Sequence, residues 1–359
     1  MNPNFPVYIV SKGRHDSRIT VRHLEHMRVP YFIIVEAQEF ESYASVIARD
    51  KVLVLDPAYQ RTYDTFDDLG DRKSKGPGPA RNFAWDHAIA HGQTWHWVMD
   101  DNIQGFFRFN HNLKVPAGDG TIFRCMEDFA LRYLNVGMAG PNYFMFASRK
   151  TEMPPYVLNT RIYSCNFIRN DLPFRWRGRY NEDTDLSLRM LKAGLCTVQF
   201  NAFLQYKLPT QTVRGGNLAE FYMREGTLPK SRMLVAMHPD VCRLVQRFGR
   251  AHHSVDYSRF KANKLVRCED ATTAPETDNY GMTLQPRAIA ERKAGCGNVR
   301  DGAWHERKPS YVPRTDDLRT SRRRSLLHPR RRAGAAEQSA ARRSAAVRRD
   351  TDAGSPGTR

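Results

Sequence analysis

Trp95-His96-Trp97-Val98-Met99-Asp100-Asp101-Asn102-Ile103 is the stretch on which the reading of this chain turns. An apolar, aromatic run of strand length stops at three short polar side chains, two of them carboxylates. Runs without polar alternation mark strands buried on both faces of a parallel sheet, and ligands gather at the carboxyl ends of such strands. Two carboxylates and an amide offer hard oxygens suited to Mg²⁺ or Mn²⁺ beside a phosphate. The same three residues equally suit a tight turn that caps the next element, so the surrounding chain has to separate the two readings.

Upstream, Val7-Tyr8-Ile9-Val10 reads as a buried strand feeding the small polar loop Ser11-Lys12-Gly13-Arg14, either a solvated turn or a seat for a base or diphosphate. Helical spacing over residues 18–27 leads to strand-like residues 31–35, a helix over 36–48 and a third strand over 51–55. Strands alternating with helices of this length imply βαβ units and a mostly parallel sheet. Gly76-Pro77-Gly78-Pro79-Ala80-Arg81-Asn82 then opens a helix over 80–91, with Gly92 as its stop. A helix start carrying Arg81 and Asn82 favours an anion; without a Lys-Ser/Thr ending it is not a nucleoside-triphosphate loop of the Walker type.

Downstream, strands are expected around 106–109, 143–146, 161–168 and 196–200, and helices over 123–134 and much of 218–237. The aromatic and basic cluster Arg175, Trp176, Arg177, Arg179 runs into Asn181-Glu182-Asp183-Thr184-Asp185 and a helix ending at Gly194. Asn181 or Asp183 can cap that helix, and acids in a first turn suit its dipole. Capping accounts for one or two acids but not for three within four residues. Arg214 lies in a Gly-containing polar loop, and His238, His252 and His253 come late. A single His is structural, solvated, or a contact for phosphate or metal.

The 359 residues carry a net charge of +18, unevenly spread: residues 285–359 hold 19 Lys/Arg against 8 Asp/Glu, leaving +7 for the rest. That tail is rich in Arg, Ala, Ser and Gly and cannot bury enough apolar surface to offset its ordering entropy. It reads as a disordered basic extension, either holding nucleic acid nonspecifically or out of frame and without a selected role. The six cysteines are scattered without a CxxC pair, which argues against a zinc cluster or a disulfide framework and fits a reducing cytoplasm. No apolar run approaches the roughly 18–20 residues needed to span a bilayer.

Four segments in order, Gly78-Pro79-Ala80-Arg81-Asn82, Trp97-Val98-Met99-Asp100-Asp101-Asn102, Tyr180-Asn181-Glu182-Asp183 and Arg250-Ala251-His252-His253-Ser254-Val255-Asp256-Tyr257, resemble the TET-associated glycosyltransferases of phages and related elements, within nucleotide-sugar glycosyltransferases of the GT-A type. The resemblance covers roughly residues 5–284. It implies an α/β fold of one GT-A type domain over 1–284, with a donor half to about residue 110, an acceptor half beyond it, and a mostly parallel central sheet flanked by helices. It also implies sugar transfer from a nucleotide sugar, with UDP as the family-level expectation, to 5-hydroxymethylcytosine or another 5-hydroxymethylpyrimidine in double-stranded DNA. A TET-like oxygenase would supply the hydroxyl, in the cytoplasm of a host cell if the gene is phage-borne. The implied roles are Asp183 as base with Glu182 beside it; Ser11, Lys12, Arg14, Arg81, Asn82 and Asp100 on the donor; and Asp101 with Asn102 on Mn²⁺ or Mg²⁺. Arg175, Trp176, Arg177, Arg179, Arg214, His252 and His253 would face the acceptor. Asn102 departs from the Asp found at that position in many GT-A enzymes, which weakens the metal expectation. Two other readings share the composition: the same fold acting on a glycan, lipid or protein, and a basic DNA-binding protein without catalysis.

Overall fold

Four parallel strands, β1 (Val7–Val10), β2 (Phe32–Val35), β3 (Val52–Val54) and β4 (Trp95–Asp100), form one half of the sheet in the order β3-β2-β1-β4. The computed structural model describes residues 1–67, 74–110, 112–148, 153–208, 227–247 and 249–271, all within one unit spanning Met1–Ala288. The sheet continues beyond β4 through β9 (Cys165–Arg169), β7 (Val136–Tyr143), β10 (Cys196–Lys207), β5 (Ile103–Asn110) and β6 (Leu113–Pro116), with β8 (Tyr156–Leu158) also on β10. Pairing directions make seven of these ten strands run one way, while β5, β8 and β9 run against them. The expected mostly parallel α/β sheet is therefore present, with antiparallel insertions in its second half. A separate hairpin joins β11 (Cys242–Arg247) to β12 (Arg250–Val255).

The Trp95–Met99 run is buried on both faces, as its lack of alternation implies. Trp97 stacks on Phe167 at 4.8 Å and donates its indole N–H to Glu127 at 2.8 Å, while His96 packs on the opposite face near Trp85. Glu127, fully buried on α5 (Thr121–Ala130), also accepts from the Asn4 backbone at 2.8 Å and so ties the N-terminal segment to this strand.

Several expected elements differ in extent. Residues 36–48 form a 3₁₀ turn and a short helix α2 (Phe40–Ala44) rather than one helix. The strand expected around 143–146 lies upstream, ending at Tyr143; Phe144-Met145-Phe146 makes a turn closed by the Phe146 amide on the Tyr143 carbonyl at 3.0 Å. The strand expected from residue 161 begins at Cys165, because Ser164 takes a left-handed φ of 61°. β10 runs well beyond residue 200. The remaining helices are α1 (Ile19–His26), α3 (Pro57–Thr62), α4 (Gly78–Ala90), α6 (Glu182–Lys192) and α7 (Leu228–Met237). Gly92 stands just past α4 with φ 70°, the left-handed stop expected of it. Arg214, the loop around it and the tail 285–359 lie outside the described residues. No helix among the described residues is long and apolar enough to cross a membrane.

Gly140 sits where β7 passes the start of β9, and a Cβ there would lie 2.3 Å from the Cys165 carbonyl oxygen. Backbone cannot yield as a side-chain tip can, so Gly140→Ala should lower unfolding stability by about 1–3 kcal/mol, read as a shift in the urea midpoint at unchanged slope.

Candidate active site

Register brings the site together. Val10 pairs with Asp100 in the β1–β4 ladder, so the residues that follow each strand, Ser11 and Asp101, emerge side by side at the carboxyl ends. Ser11 Oγ donates to Asp101 Oδ2 at 2.7 Å, and Arg14 donates to the other carboxylate oxygen. Tyr43 on α2 holds this loop by bonding Ser11 Oγ at 2.7 Å and accepting from the Arg14 amide at 3.0 Å.

The backbone of the acidic triplet is a turn, and neighbours satisfy it. Thr20, buried on α1, donates its hydroxyl to the Asp100 carbonyl at 2.7 Å and accepts from the Ile103 amide at 2.8 Å. The Leu208 amide donates to the Asn102 carbonyl at 3.0 Å.

From the first turn of α4, Arg81 reaches into the same cleft with only 2% of its side chain exposed. It donates to Asp100 Oδ1 at 2.7 Å and to Asp183 Oδ1 at 2.5 Å, lies 3.3 Å from Glu182, and rests its guanidinium 4.6 Å from the Trp176 ring centre. Three carboxylates around one buried cation outweigh its burial and hold it charged. Lys207, at the end of β10, donates to Asp100 Oδ2 at 2.5 Å and to Ser164 Oγ at 2.8 Å. Burial alone would raise the Asp100 pKa, but Lys207 and Arg81 hold it well below the usual carboxylate range.

Glu182 and Asp183 open α6 and line this cleft together with the triplet. Burial, opposed by Arg81 and reinforced by Asp183, raises the Glu182 pKa to about 7. Burial likewise raises that of Asp183, with Arg81 opposing it and the Asp100 charge adding to it. Burial also raises Asp101, with Arg14 and Ser11 offsetting part of the effect. Asp185 behaves differently: it accepts from His238 at 2.9 Å, Arg189 at 2.8 Å and Arg177 at 3.1 Å, and these partners overcome burial to hold it low. It is the acid that anchors α6 against its surroundings. Neither Asn181 nor Asp183 caps the helix: no side-chain cap bond forms, and the Asn181 amide donates instead to the Lys230 carbonyl at 2.8 Å.

The cleft, about 390 Å³, also admits Lys12, Arg179 and His253 along its walls. Burial and the nearby Lys230 and Arg161 charges push His253 down to about 4, so its imidazole is neutral at physiological pH. Several of the expected contact residues also have protein partners. Asn82 and Trp176 pair with each other, the Asn82 amide donating to the Trp176 carbonyl at 3.0 Å and accepting from its amide at 2.8 Å. Arg175 pairs with Asp86 at 3.0 Å, Arg177 with Asp185, and Arg179 donates to the Ser74 carbonyl at 2.8 Å. His252 lies next to His253 on β12. Lys207, Ser164 and Tyr143 were not anticipated, although an apolar strand ending in a charge, Phe203-Leu204-Gln205-Tyr206-Lys207, repeats the signal of β4.

Arg81→Met should leave Asp100, Glu182 and Asp183 without their shared cation and cost about 3–5 kcal/mol at pH 8. Groups whose folded pKa is raised destabilise the fold above their unfolded value, so the deficit should shrink as pH falls from 8 towards 5. Thermal melts of both proteins across that range would show it, and a pH-independent deficit would argue against the charge account. No curated protein matches the chain. A family model does match, over residues 5–216, that of the TET-associated glycosyltransferases. With more than half of its length inside that match, and with the acids, cations and strand ends arranged as above, the chain belongs to the TET-associated glycosyltransferase family.

Proposed function

We propose that the protein transfers a sugar from a nucleotide diphosphate sugar, with UDP as the nucleotide, to the hydroxyl of 5-hydroxymethylcytosine in double-stranded DNA. The observation that carries this reading is one cleft uniting two unlike halves around Arg81. On one side Lys207 and the triplet offer a cation and oxygens to a diphosphate; on the other Glu182 and Asp183 offer carboxylates of raised basicity. The family name links the chain to TET-type oxygenases, whose chemistry would make the hydroxyl, and the +7 outside the tail suits a polyanionic acceptor.

In this reading Lys12 and the Ser11–Arg14 loop frame the base and ribose, and Asp100 meets the nucleoside. Arg81 and Lys207 stabilise charge that develops on the departing diphosphate. Asp183 takes the acceptor proton, held by Arg81, by the Asn166 amide at 3.3 Å and by the Ser164 backbone at 3.4 Å. Direct displacement with a carboxylate base inverts the anomeric centre. Arg179 and His253 stand on the cleft wall as acceptor contacts.

A divalent cation fits the donor set. Asn102 Oδ1 is buried without a hydrogen-bond partner next to Asp101, and Mg²⁺ characteristically takes one or two protein oxygens together with waters and substrate phosphates. No group of three His, Cys, Asp or Glu among the described residues forms a cage by itself. Bound there, it would supply Lewis-acid neutralisation of the leaving group.

Incubating the protein with a panel of nucleotide sugars and hydroxymethylated or unmodified duplex, followed by nucleoside mass spectrometry, tests the reaction directly. Sugar should appear only on hydroxymethylated DNA, and transfer to a glycan, lipid or protein alone would replace the acceptor. Asp183→Asn should lower kcat by roughly 10²–10⁴, more than Glu182→Gln does; the opposite order would assign the base to Glu182. Activity should fall as pH drops through about 7, where Glu182 beside the base gains its proton. Asn102→Ala should raise the half-saturating Mn²⁺ concentration about tenfold, and an unchanged value would remove the amide from the metal site.

A further inference from the structure

Next to the cleft lies a second hollow of about 220 Å³, between the Tyr143–Phe146 turn and the end of β10. Its walls are aromatic and in part bare: Phe146 is 55% exposed, Met145 59% and Tyr206 36%. Phe144 packs 5.0 Å from Tyr206 and 4.7 Å from Phe107, and Lys114 lies 4.0 Å over the Phe144 ring. Aromatic faces beside cations are how single bases are held, since every base offers a ring to stack upon.

Two further observations decide the occupant. Gln205 lines the hollow and is fully buried; its Nε2 donates to the Pro141 and Tyr163 carbonyls at 3.1 and 2.7 Å, which fixes the amide orientation and leaves Oε1 as a buried acceptor without a partner. A buried acceptor is costly until it meets a donor, and the exocyclic amino group of a cytosine ring is such a donor. Second, the hollow adjoins the cleft: Tyr143 and Lys207 line both. The Tyr143 hydroxyl bonds Ser164 Oγ at 2.8 Å, and the Ser164 amide donates to Asp183.

We propose that this hollow receives the acceptor base, an aminopyrimidine turned out of the duplex, stacked against the Phe144–Phe146 turn and Tyr206, with its amino group on Gln205 Oε1. Its 5-hydroxymethyl group then faces Asp183 past Tyr143 and Lys207. The inference rests on the acceptor assigned above and adds the subsite, the need for base extrusion, and a preference for cytosine-type over uracil-type rings.

Phe146→Ala and Tyr206→Ala remove exposed rings, so folding can be checked by thermal melts before kinetics are read. Each should raise KM for a duplex bearing 5-hydroxymethylcytosine by roughly tenfold or more, with nucleotide-sugar affinity unchanged in calorimetry. Gln205→Met should abolish the preference for 5-hydroxymethylcytosine over 5-hydroxymethyluracil duplex. Unchanged duplex KM in both ring variants, in a wild-type protein that does glycosylate the duplex, overturns the subsite while leaving the reaction standing. Wild-type protein that glycosylates neither duplex overturns the acceptor reading and the subsite with it. A change of mass in light scattering for Phe146→Ala overturns it too, because the hollow would then seat a second copy of the chain.

Discussion

A single guanidinium, that of Arg81, holds three separately delivered carboxylates in one place. Asp100 arrives on β4, Glu182 and Asp183 on α6, and Arg81 on α4, so elements that already share an apolar cluster through Trp85, Val98 and Leu186 are also joined by charge at the cleft. Removing charges from water costs several kcal/mol per ion, and the cost is recovered only with good geometry and further hydrogen bonds. Trp176 beneath the guanidinium, Lys207 on Asp100, and Asn166 and Ser164 on Asp183 supply those bonds. The carboxyls of the cleft diverge accordingly, with Glu182 and Asp183 raised by burial and Asp100 lowered by Lys207 and Arg81. Environments that push neighbouring carboxyls apart in this way are what separate a proton acceptor from a fixed counter-ion.

Much of this was legible because it depends on local pattern. The unbroken apolar run of β4 predicts burial on both faces, and its abrupt polar end predicts a site; both follow from strand periodicity. The cluster Arg175, Trp176, Arg177 and Arg179 shows where local pattern stops informing. A charge count does not reveal partners, and Asp86 and Asp185 claim two of these arginines while the Trp ring goes under Arg81. Of the four, only Arg179 lines the cleft. Lys207 escaped because the strand was expected to stop at Phe200, whereas β10 continues past an irregularity in its pairing with β7.

The three acids of α6 show how spacing alone runs out. Glu182, Asp183 and Asp185 all lie in the first turn, where the helix dipole favours any of them. Only tertiary neighbours divide their roles. Asp185 meets His238, Arg189 and Arg177, which together keep it ionised and fasten α6 to α7 and to the loop before it. His238 accepts at Nδ1 from Lys192 at 3.0 Å, which leaves Nε2 as the donor to Asp185. Among the described residues, Glu182 has one ion pair, with Arg81 at 3.3 Å.

The Asp100-Asp101-Asn102 triplet is a turn, and its three residues also line the cleft. Thr20 and Leu208 satisfy its backbone, so the side chains are spared the usual duty of closing their own turn. Freed from it, Asp100 takes Arg81 and Lys207, Asp101 takes Ser11 and Arg14, and Asn102 keeps an unpartnered oxygen. A third Asp in place of Asn102 would add one more negative charge beside carboxyls that burial already makes hard to ionise. The amide supplies a neutral acceptor at that point, so in the proposed reading a cation shared with the diphosphate would gain an oxygen ligand without another acid being added to the cleft.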